Sequence, residues 1–440
     1  MEKLNKHYFT DLLILALPIL VGEIGHTLIG ATDILVVARY SIDALASVSI
    51  ANSILFSIFI FGIGILIAIS IILSNKRGAK QGIKKYLLSS LIFSVLMAIL
   101  FAFICYSTKF LIPHMGFEEK LIPLIQEYIV IASISMFGMF IFEGGKQFLQ
   151  AYEIVNFPNI LLIVAVFVNL IFDILFVFGF GPIPAMGVKG AALATLVVRT
   201  FIGLAMFMYI YRFINFKSKI DLSYMKQIFK VGIPIGFALM FEFLAFNIIT
   251  ILVGRESGLL SGIHNILITI SSAMFMLPLS ISIALSVKVS YYYGANKLEE
   301  IKKFTNAALI LGVGFMAVAA GVLAIFPSQI IKIFTDNKQV LDIAVPLVGI
   351  AAMYQIFDGY QIIMGGVLKG FKMTKFVSWA VLMGYWLCGM PVAILLVYYF
   401  DYMLKGYWVA LAVSVTMMGV VQGLMAHYKF NKLKEKYTIL

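Results

Sequence analysis

Twelve runs of apolar residues, most of them near the length needed to cross a lipid bilayer, constrain this sequence more than any other feature. They lie at roughly 10–37, 46–74, 86–112, 120–145, 158–179, 187–211, 227–254, 260–288, 303–331, 340–367, 376–399 and 406–428. A membrane-spanning helix needs about 20 mostly apolar residues, and the longer runs predict tilted or kinked helices. The predicted fold class is an all-α integral membrane protein with twelve transmembrane helices.

Composition agrees with a membrane environment. The chain is 62% hydrophobic and 12% charged, against about 45–50% and about 25% in an ordinary soluble domain. Most Lys and Arg fall in the even-numbered loops and at the two ends, which predicts a cell-membrane protein with both termini in the cytoplasm. The net charge of +12 therefore indicates membrane topology and contact with anionic lipid rather than nucleic-acid binding.

An internal repeat predicts two halves. Three pairs of short motifs share a spacing of 216 residues: Pro18 with Pro234, Gly78-Ala79 with Gly294-Ala295, and Lys189-Gly190 with Lys405-Gly406. Such a repeat favours two six-helix lobes at 1–215 and 216–440, related by a pseudo-twofold axis along the membrane normal, with a binding place between them. The glycines around the two prolines are either hinges or ordinary membrane-helix packing residues.

Six carboxylates fall inside the predicted spans: Glu23, Asp33, Glu143, Asp173, Glu242 and Asp358. A charged group at the bilayer centre costs about 2.5–3.5 kcal/mol on insertion scales. Six of them require a watery cavity, protonation or pairing, so their presence indicates function.

Depth along the helices groups four oxygen-bearing residues of the first half. Asp33 on the first span, Asn169 and Asp173 on the fifth, and Thr195 on the sixth lie at one level near the outer end. Asn169 and Asp173 are one turn apart, so they share a helix face. This set suits a hard cation or a proton relay; the alternative is polar contact between helices.

A second set lies near mid-membrane in the other half. Glu242 is near the middle of the seventh span, and Asp358 near the middle of the tenth, where Tyr354 and Gln361 flank it on one polar stripe. Two mid-membrane acids in one half predict a second cation or proton site.

The remaining polar residues have weaker indications. Glu143 is close to a span end and is expected to reach the interface, while Glu23 and Arg199 lie at similar depth and are expected to pair. His26 lies seven residues before Asp33, on nearly the same helix face. It either exchanges protons with Asp33 or only forms a hydrogen bond.

Motifs for other chemistries are absent from the sequence. It contains no G-x-x-x-x-G-K-[ST] phosphate loop and no H-E-x-x-H or G-x-S-x-G motif. An ATP-driven pump and a membrane hydrolase therefore lack support, and no cofactor is expected beyond a coupling ion.

Several long stretches are similar to those of a known transporter family. "LALPILVGEIGHTLIGATDILVV", "GVKGAALAT", "VGIPIGFALMFEFLAF", "FMLPLSISIALSVKVSYYYGA" and "MYQIFDGYQIIMGGVLKGF" resemble the multidrug and toxic compound extrusion (MATE) family, closest to its NorM branch. The resemblance implies a two-lobe antiporter that exports organic, often cationic, compounds in exchange for Na⁺ or H⁺.

The resemblance also implies site residues. It maps a C-lobe cation site onto Glu242, Tyr354 and Asp358, and an N-lobe site onto Asp33, Asn169, Asp173 and Thr195. NorM-like sequences can lack the second acid of the fifth helix, whereas Asp173 is present here. Both acid sets are thus present. This leaves open whether Na⁺ or H⁺ is used and which lobe couples ion entry to substrate export.

Two other functions remain as alternatives. A flippase for lipid-linked saccharide would need a basic cavity, and Arg199 is the only basic residue expected well inside a span. A membrane protein without transport activity would need a catalytic constellation or a soluble partner domain. The expected partners are small organic cations and the bilayer, and the expected assembly is a monomer.

Overall fold

The computed structural model describes residues 6–214 and 218–438, most of which are helical. The helices of the first half of the chain are α1 (Lys6–Ala38), α2 (Ile42–Gly78), α3 (Leu87–Thr108), α4 (Ile122–Ala151), α5 (Asn156–Phe178) and α6 (Gly187–Tyr211). Those of the second half are α7 (Leu222–Glu256), α8 (Gly258–Gly294), α9 (Leu298–Ile325), α10 (Pro327–Lys332), α11 (Lys338–Gly370), α12 (Thr374–Val381), α13 (Met390–Ile394) and α14 (Met403–Thr438).

Twelve helical segments within the described residues are long and apolar enough to cross a membrane. Each corresponds to one of the twelve apolar runs, and α12 and α13 belong to a single span that runs from Thr374 to Tyr399. The protein is a multi-pass membrane protein, and the predicted all-helical class is confirmed.

The ninth predicted run is wrong at its end. A span to residue 331 was expected, but α9 ends at Ile325 and the short α10 starts at Pro327. Proline disfavours the helical conformation in the residue before it, and Phe326 accordingly leaves the helix with φ −120° and ψ 40°. The tenth predicted span is therefore α11.

The span that contains α12 and α13 has widened turns. Leu382–Gly389 and Leu395–Tyr399 are π-helical, a rare geometry that is frequent at functional sites. Gly384 and Gly389 pack against Met418 and Ser414 of α14, where a Cβ would come within 2.3 Å and 2.0 Å of those side chains. Tyr385 lies within the first of these segments and is buried.

The chain forms two compact units. One contains the chain from Phe237 onward, the part of α1 up to Leu20, and Gly78–Lys80; the other contains Val21–Arg77 and Gln81–Gly236. Both α1 and α7 are thus divided, each within three residues of its proline. The division into lobes at 1–215 and 216–440 stays a prediction.

The glycines before and after Pro234 pack closely in the second of these units. A Cβ on Gly232 would lie 2.4 Å from the Ile65 carbonyl oxygen, and one on Gly64 would lie 2.4 Å from Gly236 Cα. Small residues four apart let membrane helices approach to backbone contact. Close packing of α7 on α2 accounts for Gly232 and Gly236.

Candidate ion-coupling sites

Three helices bring Asp33, Asn169 and Thr195 together. Asn169 Nδ2 donates to Asp33 Oδ1 over 3.0 Å, and the Thr195 hydroxyl lies 3.2 Å from Asp33 Oδ2. The same hydroxyl lies 3.1 Å from the Ala191 carbonyl oxygen, so its single proton serves one acceptor at a time. All three side chains are buried, and Asp33 is held from α5 and α6.

Asp173 is the fourth member of this cluster, and no neighbouring group among the described residues donates a hydrogen bond to its carboxyl oxygens. Its side chain is fully buried and interacts directly with the carboxyl group of Asp33. Within residues 6–214 and 218–438, neither Asp173 oxygen accepts a hydrogen bond. Two buried carboxyl groups in contact cannot both be ionised cheaply, so this arrangement suits a shared proton or a bound cation.

Sequence reasoning missed the outer partners of the cluster. Tyr128 of α4 is fully buried, donates to Asn52 Oδ1 over 2.9 Å, and lies 3.5 Å from the Thr195 hydroxyl. Thr32 donates to Asn169 Oδ1 over 2.6 Å. These groups orient the side chains of Asn169 and Thr195, and no motif or spacing in the sequence points to Tyr128 or Asn52.

The second cluster lies in the unit that begins at Phe237. Tyr354 and Asp358 are buried one turn apart on α11, and both interact electrostatically with Glu242 of α7. Tyr385, brought in by the π-helical segment, interacts with all three. The structure thus brings the expected residues together and adds a second phenol.

A half-buried lysine also acts on this cluster. Lys369, in the last turn of α11, interacts electrostatically with Glu242. The positive charge of Lys369 favours the ionised form of the Glu242 carboxyl group. The tenth predicted span ended at residue 367, so the sequence placed Lys369 just outside it and did not connect it with Glu242.

The expected Glu23–Arg199 pair is wrong. Glu23 lies 3.5 Å from Lys146 of α4, while Arg199 donates to the Ser135 hydroxyl over 3.0 Å and lies over the Phe59 ring. The pairing changes because α4 extends to Ala151, which places Lys146 inside a span that was expected to end at residue 145.

Glu143 does not reach the interface as expected. It is buried and lies 3.5 Å from Lys146, so this one ammonium is shared by two carboxylates. Arg199 is therefore not the only cation inside a span. His26 stacks on Phe59 with 6.3 Å between ring centroids, and Gln361 is buried beside the second cluster.

A metal site made of His, Cys, Asp and Glu alone is not part of the described structure. Residues 6–214 and 218–438 contain no group of three or more such side chains arranged to hold an ion. A hard cation at either cluster would therefore depend on amide, hydroxyl and phenol oxygens in addition to carboxylates.

Comparison with known proteins shows which class of membrane protein this is. The profile of the MatE family matches residues 18–175 and 234–395, and these two stretches begin at the two prolines of the internal repeat. The chain belongs to the MatE family, which confirms the resemblance drawn from its motifs.

Relatives and solved structures agree with that family. The chain is 28% identical to the probable multidrug resistance protein NorM of Mesorhizobium japonicum, covering 96% of this chain and 94% of that protein. It is 27% identical to the multidrug resistance protein NorM of Photobacterium profundum, covering 88% and 87%.

Two solved structures show the same fold. A eukaryotic MATE transporter superposes with a TM-score of 0.85 at 18% identity, covering 98% of this chain and 99% of that chain. A MOP superfamily transporter from Pyrococcus furiosus superposes with a TM-score of 0.88 at 17% identity, covering 97% of each chain.

Proposed function

We propose that this protein is a secondary multidrug efflux antiporter that exchanges Na⁺ or H⁺ for organic, mostly cationic, compounds. The observation that carries the proposal is a pair of carboxylate clusters, one formed by the buried Asp33 and Asp173 and one by the buried Asp358 and the half-buried Glu242. Buried membrane acids are expensive and are typical of ion pathways. The NorM relatives named as multidrug resistance proteins supply the substrate class.

The cycle follows from charge balance. A proton or Na⁺ taken up from outside neutralises an acid cluster and weakens its attraction for a cationic substrate, which leaves on that side. When the ion leaves toward the cytoplasm, the restored negative charge favours a new cationic substrate. At each cluster the coupling ion and the cationic substrate compete for the same negative charge.

The surroundings of the protein follow from the same proposal. We infer an inner-membrane location with both termini in the cytoplasm, a monomer that acts as a transporter rather than an enzyme, and no cofactor beyond the coupling ion. Lys146 offers little support for a flippase, because two carboxylates already balance its charge.

Ion-driven efflux from cells tests the function. Cells loaded with ethidium and then de-energised receive either a Na⁺ pulse at fixed pH or an acid pulse, and ethidium fluorescence reports efflux. We expect Glu242→Gln to abolish the response if the second cluster couples, and Asp173→Asn to abolish it if the first cluster does. Loss under one pulse only would also identify the ion.

Glu127→Gln is the matched control, because Glu127 is a carboxylate on α4 whose side chain is 41% exposed and paired with Lys189. It should respond like wild type. A wild-type protein that exports no ethidium under either pulse would contradict the antiporter and favour the lipid-linked saccharide flippase.

A further inference from the structure

One face of α11 carries an unusual series of polar and small residues. Tyr354, Asp358, Gln361, Gly365 and Lys369 follow one another at spacings of four, three, four and four. At 3.6 residues per turn these five positions fall within an arc of about 80°. They form a stripe, here named the α11 polar face, that runs from the acid cluster to the end of the helix.

Two carboxamides lie on or against the α11 polar face. Gln361 is buried on α11, and Gln422 of α14 is fully buried opposite Gly365, where a Cβ would lie 3.2 Å from Gln422 Oε1. Glycine at 365 therefore leaves room beside the amide of Gln422.

Neither amide is satisfied by protein. In the described parts of the chain, Gln361 Oε1, both polar atoms of Gln422, and Asp358 Oδ1 make no hydrogen bond. Buried polar atoms are hydrogen-bonded in the great majority of cases, and an unpaired amide costs roughly 1–3 kcal/mol. Several such atoms along one face are places where bound water would supply the missing hydrogen bonds.

We propose that the α11 polar face, together with Gln422, is a hydrated path along which the coupling cation leaves the Glu242–Tyr354–Asp358 cluster toward the Lys369 end of α11, the cytoplasmic end in the orientation inferred above. The inference rests on the proposed function, which supplies the cation. A carboxamide both donates and accepts, so it orients water or coordinates a cation without adding charge.

The spacing along the path suits such a relay. At 1.5 Å per residue, Gln361, Gly365 and Lys369 follow Asp358 by roughly 4.5, 10 and 16 Å along the axis. The gaps are about 4.5–6 Å, a distance that one hydrogen-bonded water bridges at roughly 2.8 Å per hydrogen bond.

Lys369 lies at the far end of this path. Helical side chains tilt toward the N-terminus, which aims its ammonium back along the α11 polar face toward Glu242, with which it interacts. A cation held by the acids and the Lys369 ammonium therefore compete for the negative charge of Glu242, and this competition favours release of the cation.

Gln355 provides a matched control on the same helix. It is fully buried, and neither of its amide atoms has a hydrogen-bond partner among the described residues. It lies four residues before Gly359, whose Cβ would meet Met316 of α9 at 2.7 Å. Gln355 thus shares the chemistry of Gln361 but lies about 40° beyond the edge of the α11 polar face, toward α9, so a water bound to it would not join the path.

The first test is ion-driven ethidium efflux from proteoliposomes under a Na⁺ or proton gradient. We expect Gln422→Leu and Gln361→Leu to slow efflux about tenfold or more, since a broken relay need add only 1.4 kcal/mol to the barrier, with ethidium affinity unchanged. Gln355→Leu should keep the wild-type rate. A wild-type protein that ignores both gradients would contradict the antiporter function itself.

The second test reports water access without transport. The two free cysteines, Cys105 and Cys388, are replaced by alanine, and single cysteines are introduced as Gln361→Cys, Gln422→Cys and Gln355→Cys. We expect 2-aminoethyl methanethiosulfonate, a small water-soluble cation, to react much faster at positions 361 and 422 than at 355. Equal reactivity at all three positions, or wild-type efflux in both leucine variants, would overturn the path.

Discussion

At the scale of single residues, the shared ammonium of Lys146 makes the sharpest prediction about stability. Removing it leaves Glu143 buried without its partner and Glu23 without its contact. We expect Lys146→Met to destabilise the protein by roughly 2–3 kcal/mol, below the usual range for a broken buried pair, because the Glu23 side chain is 27% exposed. Thermal unfolding in detergent measures the loss.

Neutralising the freed acids should reverse this effect. The Lys146→Met variant combined with Glu23→Gln and Glu143→Gln is expected to unfold closer to wild type, because no uncompensated charge remains buried. If Lys146→Met alone unfolds at the wild-type temperature, the three groups do not form the ion-paired cluster described here.

At the scale of helices, the contact between α2 and α7 depends on glycines, which have no side chain to keep the two backbones apart. A Cβ at Gly64 would lie 2.4 Å from Gly236 Cα, too close for any backbone contact to absorb. We expect Gly64→Ala to cost roughly 1–3 kcal/mol, as overpacking does, and to lower the detergent melting temperature. Gly314→Ala is the control, because a Cβ there meets nothing within 4 Å; equal effects would contradict close packing at Gly64.

At the scale of the whole molecule, the twelve candidate spans among residues 6–214 and 218–438 predict that both ends of the chain lie on one side of the membrane. A green fluorescent protein fused after residue 440 should fluoresce, because it folds in the cytoplasm, whereas alkaline phosphatase fused there should be inactive. The reverse is expected for fusions after Asp401, between the last two spans. Active phosphatase at the C-terminus would invert the orientation drawn from the Lys and Arg distribution.

By itself the sequence determined the twelve spans and the residues worth examining within them. Hydropathy is a property of consecutive residues, so each span could be found locally. Even the grouping of Asp33 with Asn169 and Thr195 needed only their depth along the spans, although the use of these residues as a cation site stays a prediction.

Only the tertiary structure decided which side chains meet across helices. Lys146 and Glu23 are 123 residues apart, and Tyr128 and Asn52 are 76 apart. Such contacts depend on helix rotation, on where α4 ends, and on the π-helical turns that bring in Tyr385. A sequence pattern fixes the face of one helix, whereas packing among many helices selects the partners of that face.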